Sequence, residues 1–333
     1  MHTLLANHSS YPRIGDTKHA QRLRRAYADR ERGKMSQGEF EHVEHVVLEE
    51  ILREQATAQL DWATDGQITW ADPVSHLAER LDGVRLNGLL RFLDTNTYFR
   101  QPVIEAKLRR RRPLVTQEYQ RACAACPLPI KPVLTGPYTL ARQSLIATTA
   151  YRNAPALAAD LSTILADEVH DLVAAGARLV QIDEPLILQH PEDIRLLREL
   201  LEPLQNATGD AAQLAVATYF GDAEPLYAQL NSLPADIVAL DCSESPRLLD
   251  AVAQTGSSKV LAFGLINGRS TRLENPDHVA GTLERLLHRY VHDTVYLQPS
   301  CGLEHLPRDR ARAKLNLLPA IRKVIAGTTH GTR

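Results

Sequence analysis

The sequence predicts an α/β fold, a (β/α)8 TIM barrel with a helical hairpin inserted after the first strand. Three observations predict it. Eight short apolar runs of β type recur along the 333 residues. Helix-period segments separate most of them. Acids, amides and hydroxyls gather where the runs end. Strands separated by helices pair in parallel, and strands covered on both faces read as unbroken apolar runs. A doubly wound open sheet is the other architecture this alternation allows.

The runs are TLLANHS, LDWAT, KPVLTGP, RLVQIDEP, QLAVATYF, DIVALDC, KVLAFGLI and TVYLQPSC. Between them, Asn153 with Pro155 opens a helix whose Leu157, Leu161, Ile164, Val169 and Leu172 share one side, and Gly176 closes it. Asp16 to Leu60 breaks the alternation with two helical patterns and no strand. There Ser36-Gln-Gly-Glu39 is a capping box, followed by Phe40, Val43, Val47 and Ile51 at helical spacing. This pair is expected to form the inserted hairpin, positioned to cover the barrel mouth. The reading is of one barrel over 1–333, with 16–60 as the insertion.

Composition narrows the function. Apolar residues are 44% of the chain and the formal net charge is −2. That charge gives no global field toward nucleic acid or membrane. No apolar run reaches the 18 residues a membrane span needs. The start, MHTLLANHSSYPRIG, has neither the basic region nor the long apolar stretch of a signal peptide. Four cysteines in a chain of this length make no disulfide framework. The expectation is a cytoplasmic protein with reduced thiols.

In a barrel, chemistry sits at the C-terminal ends of the strands. The ends carry Ser9-Ser10-Tyr11-Pro12-Arg13, Asp65-Gly66-Gln67, Thr135-Gly136-Pro137, Asp183-Glu184-Pro185, Tyr219, Asp241-Cys242, Asn267-Gly268-Arg269 and Ser300-Cys301-Gly302. Any one of these is explained by strand capping, but eight converging sets point to a site. Two other signals carry less. Cys123-Ala-Ala-Cys126 follows a helical segment, not a strand, as a redox motif would. Arg109 to Arg112 reads as a solvated helix face or as an anion site. His305, near Cys301, reads as a loop histidine.

The motifs SYPRIG, TDGQ, FLDTNTYF, KPVLTGPYTL, VQIDEP, ATYFG, INGR and PSCGLEHLP, in this order on these strands, resemble the cobalamin-independent methionine synthase family. Those enzymes hold two related barrels, and this chain covers about one. The resemblance implies methyl transfer from a folate to homocysteine or a related thiol, without cobalamin. In the family's catalytic barrel, zinc is held by His-x-Cys, Glu and Cys and lowers the thiol pKa. Cys301 matches the last ligand and Asp241 stands at the Glu. Ala217 and Tyr219 replace the His-x-Cys pair, so the zinc site is degenerate. ATYFG, INGR and PRIG resemble the zinc-free N-terminal barrel, while DGQ resembles short single-barrel members.

By the same resemblance, Ser10, Gln67 and Asp183 are the candidates to hold the amino acid, with Asn267 beside them. Asp183, Tyr219 and Arg269 are the catalytic candidates. Arg269 stands near the family's proton-transfer histidine; an arginine stays charged and suits a carboxylate instead. Arg13, Lys18 and Arg91 are the candidates for an anionic folate tail. The partners implied are small molecules, the amino-acid thiol and the folate, and a separately encoded zinc-bearing catalytic half. Stand-alone chemistry with an altered substrate, a non-catalytic folate-binding barrel, and a lyase binding carboxylates through Arg13 and Arg269 stay open.

Overall fold

A computed structural model describes residues 1–328. In chain order it runs β1 (His2–Leu5), α1 (Arg22–Glu31), α2 (Gln37–Thr57), α3 (Ser75–Ala78), β2 (Asp82–Arg91), β3 (Tyr98–Arg109) and α4 (Thr116–Ala125). Then come β4 (Val133–Thr135), α5 (Pro137–Gln143), β5 (Leu145–Ile146), α6 (Ala154–Ala174), β6 (Leu179–Asp183), α7 (Ile194–Thr208), β7 (Gln213–Thr218) and α8 (Tyr227–Leu230). The chain closes with β8 (Ile237–Asp241), α9 (Pro246–Thr255), β9 (Val260–Ile266), α10 (Pro276–Leu286), β10 (Thr294–Pro299) and α11 (Arg308–Thr328).

The main sheet is parallel, in the order β1-β10-β9-β8-β7-β6-β4. Two parallel bridges, Ala6 to Trp62 and Ala63 to Ile130, seat the short run 62–63 between β1 and the run that leads into β4. The eighth stave thereby closes the ring, and an open doubly wound sheet is excluded. Side chains alternate across each stave, as period two requires. Ala6, Leu179, Ala215, Ala217, Ile237, Ala239, Ala262 and Tyr296 form one cluster, the barrel interior. Val180, Ile182, Val216, Val238, Leu240, Phe263 and Leu297 belong to the larger core beneath the helices.

Local signals act as the sequence anticipates. Asn153 accepts a hydrogen bond from the Ala156 amide at 3.0 Å and caps α6, whose Leu157, Leu161, Ile164, Val169 and Leu172 are buried. Ser36 and Glu39 make a reciprocal capping box at α2. Helices α1 and α2 follow β1 with no strand between them. Yet α2 does not cover the mouth. It packs beside α11 and α4, as one member of the outer helical ring.

The roof is an element with no apolar period. β2 and β3 form an antiparallel hairpin outside the barrel, with β5 as a third strand. Leu89, Leu90 and Tyr98 are exposed on it, while Phe99, Val103, Ile104 and Leu108 of β3 are buried beneath, without regular alternation. Arg109 ends β3, which corrects the expected helix face. Arg110 pairs with Glu168 at 2.7 Å and contacts Asp171, while Arg111 contacts Asp82. Cys123 lies in α4, Cys126 follows its end, and both are free thiols.

Candidate active site

The inward residues at the C-terminal ends of the staves meet in a small cavity. Ser9, Ser10, Gln67, Asp183, Tyr219, Gly302, Glu304 and His305 are among its walls, and Phe92 and Phe220 help to close it. Its volume is about 20 Å3, smaller than an amino acid, so a substrate must displace part of the roof. The roof is the turn between β2 and β3. Arg269 pins it, donating to the Asp94 carbonyl at 3.0 Å and to Glu244 at 3.3 Å, with its guanidinium 4.9 Å from the Phe220 ring centre.

Backbone strain gathers here too. Gln67 (φ 53°) and Phe220 (φ 63°) line the cavity, and Leu93 (φ 51°) follows Phe92 in the hairpin turn. Non-glycine residues reach this left-handed region only where their surroundings hold them, and such positions cluster at functional sites.

Asp183 ends β6 and is 4% exposed. Its Oδ1 accepts from the Gln181 amide at 2.7 Å and its Oδ2 from the Tyr219 hydroxyl at 3.2 Å. Burial pushes its pKa up, opposed by those hydrogen bonds and by the Lys131 charge. Tyr219 is pushed well up, first by burial and then by Asp183, so it stays a neutral donor. Its ring stands edge-on to His8 at 5.4 Å. His8 and Lys131, buried at 1% and 2% exposure, are groups sequence reasoning missed. The signal was available: a histidine and a lysine each break an otherwise apolar barrel strand.

The next residue, Glu184, serves the fold. Its Oε1 accepts from the Tyr138 amide at 2.9 Å, and its Oε2 from the Thr139 amide at 2.8 Å and hydroxyl at 2.6 Å. It thus satisfies amides that the start of α5 leaves free. A Cβ added at Gly136 would lie 2.1 Å from Glu184 Oε1. The TGP and IDEP motifs therefore interlock sterically. Gly302 meets Ser10 in the same way, with Ser10 Oγ 2.0 Å from the added Cβ.

Asp65 supports the loop that carries Gln67, accepting from the Gln67 amide at 3.0 Å. Burial and the nearby Glu118 charge raise its carboxyl to about 7. The folded state then binds a proton more tightly than the unfolded one, whose carboxyl titrates near 3.8. Its stabilising contribution is complete below about pH 4 and is lost as pH rises to about 7. We expect Asp65→Asn to flatten this fall by about 1–2 kcal/mol, after discounting the shift for solvent screening. Urea unfolding of both proteins at pH 5 and pH 8 checks it; equal slopes would refute it.

The remaining predicted residues divide. Asn267 makes an Asx turn, its Oδ1 accepting from the Arg269 amide at 2.8 Å, and it does not line the cavity. Arg13 is engaged internally. It donates to the Ile68 carbonyl at 3.1 Å and contacts the Trp70 carbonyl, tying the loop after stave two to the loop after β1. Lys18 is exposed and away from the mouth cavity. Arg91 lies on the hairpin, donating to the Thr95 carbonyl at 2.5 Å and facing Asp94 at 3.5 Å. The three cations do not share a pocket. A larger groove of about 460 Å3 lies outside the barrel between the 15–20 loop, α2 and α11. Arg308 pairs there with Glu54 at 3.0 Å, and no residue of the mouth lines it.

The donors at the family's zinc positions do not fit a zinc ion. Ala217 offers no ligand atom, and the neutral Tyr219 hydroxyl donates a hydrogen bond to Asp183. Asp241 Oδ1 accepts from the Ser243 amide at 2.9 Å and hydroxyl at 2.6 Å. The Cys301 thiol is fully buried and donates to the Gly302 carbonyl at 3.5 Å. His305 packs on Phe220 at 5.5 Å. Among the described residues, no group of three or more His, Cys, Asp or Glu is placed to hold a metal.

A family model described as the catalytic domain of cobalamin-independent synthase matches residues 9–323. Proteins named methionine synthase from Saccharolobus solfataricus and Sulfurisphaera tokodaii are 28% and 29% identical to this chain. They align over 92% of it, and over 90% and 87% of their own lengths. Two solved structures share the fold. A B12-independent methionine synthase from Shewanella sp. W3-18-1, in complex with selenomethionine, is 22% identical, with a TM-score of 0.79 over 98% of each chain. A putative vitamin-B12 independent methionine synthase from Listeria monocytogenes is 17% identical, with a TM-score of 0.74 over 96% of this chain and 99% of its own.

Proposed function

The chain belongs to the cobalamin-independent methionine synthase family, and from that premise we propose that it transfers a methyl group to the sulfur of a homocysteine-class amino acid held at the barrel mouth. One observation carries the reading: Ser10, Gln67, Asp183 and Tyr219, from four staves, wall one cavity around a buried carboxylate. Asp183 is the partner for the substrate's ammonium, because a buried carboxylate that already accepts two hydrogen bonds binds a cation strongly. The Gln67 amide and the Ser10 backbone orient the substrate carboxylate. Tyr219, a neutral donor, holds Asp183 in place. Arg269 acts on the roof rather than on a proton.

The methyl donor in this reading is a folate. The thiolate, not the thiol, is the nucleophile. Because the donors in this chain do not fit zinc, the arrangement in which a zinc-bearing partner activates the thiol accounts for the missing ligands. The curated relatives, close to this chain in length, support the other arrangement, a single barrel acting alone. A lyase or a folate-tail site is less well supported, since Arg13 and Arg269 are engaged with carbonyls and an acid.

The test follows methionine formation from L-homocysteine and 5-methyltetrahydrofolate, as monoglutamate and triglutamate, with and without added zinc. Turnover by the chain alone supports the single barrel. L-methionine binding without turnover supports the partnered form. Neither binding nor turnover overturns the reading.

A further inference from the structure

Lys131 lies inside the barrel in the run that leads into β4, and it is 2% exposed. Its Nζ donates to Gln181 Oε1 at 2.5 Å, and Gln181 Nε2 donates to Asp183 Oδ1 at 2.7 Å. An ammonium carries donors only, whereas a primary amide carries an acceptor at one end and donors at the other. Lys131 therefore fixes which way Gln181 faces. The oxygen must turn to the lysine, and the NH2 group must then turn to Asp183. The acceptor-only Asp183 carboxylate favours the same orientation from the other end, and the cation anchors it.

Burial lowers the Lys131 pKa to about 7 and the Asp183 charge opposes that shift, so Lys131 supports Asp183 as a cation up to about that pH. His8, from the β1 run, is held neutral by burial and by the Lys131 charge. Tyr219, from the β7 run, is a neutral donor. Glu184 is occupied at the start of α5, and Glu304, from the loop after β10, adds negative charge.

We propose that Lys131 is a positioning residue for amino-acid binding: acting through the Gln181 amide, it orients the Asp183 carboxylate and keeps it anionic for the substrate's ammonium. This rests on the reading of Asp183 under Proposed function. Lys131 touches no substrate. It sets the direction of one amide and supplies the field that favours the charged carboxylate.

The experiment measures L-methionine affinity across pH 5.5 to 9 for the full chain, for Lys131→Met and for Gln181→Met. In Lys131→Met, Asp183 loses its cation and its oriented donor, so it ionises less readily. Affinity is expected to fall about 10-fold near pH 7. The pH below which binding fades is expected to rise by about one unit, with recovery toward pH 9. Gln181→Met cuts the relay while leaving the lysine, and moves the same limb in the same direction. It supplies the answer if Lys131→Met does not fold. An equal loss at every pH, or an unchanged profile in both variants, overturns the proposal. Asp183→Asn separates the two failures. Full affinity in that variant overturns the reading of Asp183 and this proposal together. Lost affinity there, with unshifted limbs in the other two, overturns this proposal alone.

Discussion

Asp183→Asn is expected to weaken L-homocysteine and L-methionine binding by roughly 30- to 1,000-fold, about 2–4 kcal/mol, while leaving the barrel folded. The side chain is buried at the end of β6, where two hydrogen bonds already orient it. Asparagine is nearly the same shape and can still accept from Gln181. What it loses is the charge that meets an ammonium in a site closed to water. Truncating one partner of a buried charge pair costs more than its surface equivalent, because the other charge is left without compensation. The pH dependence has a definite sign. Only ionised Asp183 binds the ammonium, and burial raises its pKa. Wild-type affinity should therefore fall as pH drops, beginning above the range of an ordinary carboxylate. Isothermal titration of both proteins at several pH values measures it. Equal affinity would remove Asp183 from the site.

Gly136→Ala is expected to destabilise the fold by about 3 kcal/mol, the upper part of the range for forced overpacking. The new Cβ would sit 2.1 Å from Glu184 Oε1, 2.3 Å from its Cδ and 2.6 Å from its Cγ. Glu184 has little freedom to yield. It is fully buried, and three hydrogen bonds tie it to the first turn of α5. Moving it would strip acceptors from buried amides, and moving α5 would disturb the neighbouring α6. The backbone conformation at Gly136 suits any residue, with φ −76°, so the requirement is space alone. Urea unfolding reads the loss as a lower midpoint at unchanged slope. Wild-type stability in this variant would show that the interlock between TGP and IDEP is softer than the contacts indicate.

The residues that define this protein differ in how far sequence exposes them. Alternation of apolar runs with helical segments marked all eight staves, because a barrel strand is buried on both faces and hydrophobicity alone reveals it. Ser36 and Asn153 marked their helix starts, because capping is a matter of a few neighbouring residues. The family motifs led to Ser10, Gln67, Asp183 and Tyr219, which share one parity-ordered mouth.

Other features depend on elements far apart in the chain. The hairpin of β2 and β3 satisfies its backbone by pairing with itself; β3 buries Phe99, Val103, Ile104 and Leu108, but not at the strict alternation that marks a strand in sequence. Arg13, Arg91 and Arg269 read as free cations. Arg91 turns to Thr95 within its own hairpin, whereas for Arg13 and Arg269 only the folded chain brings the carbonyls of Ile68, Trp70 and Asp94 into reach. The same holds for Lys131, Gln181 and Asp183, which come from two staves 50 residues apart. The sequence by itself determined the barrel and the residues at its mouth, since both follow from local periodicity and short motifs. The tertiary structure decided which charges are spent within the fold and which carboxylate faces the mouth cavity. Hydrogen bonds at 2.5–3.4 Å depend on chain closure, not on spacing along the chain.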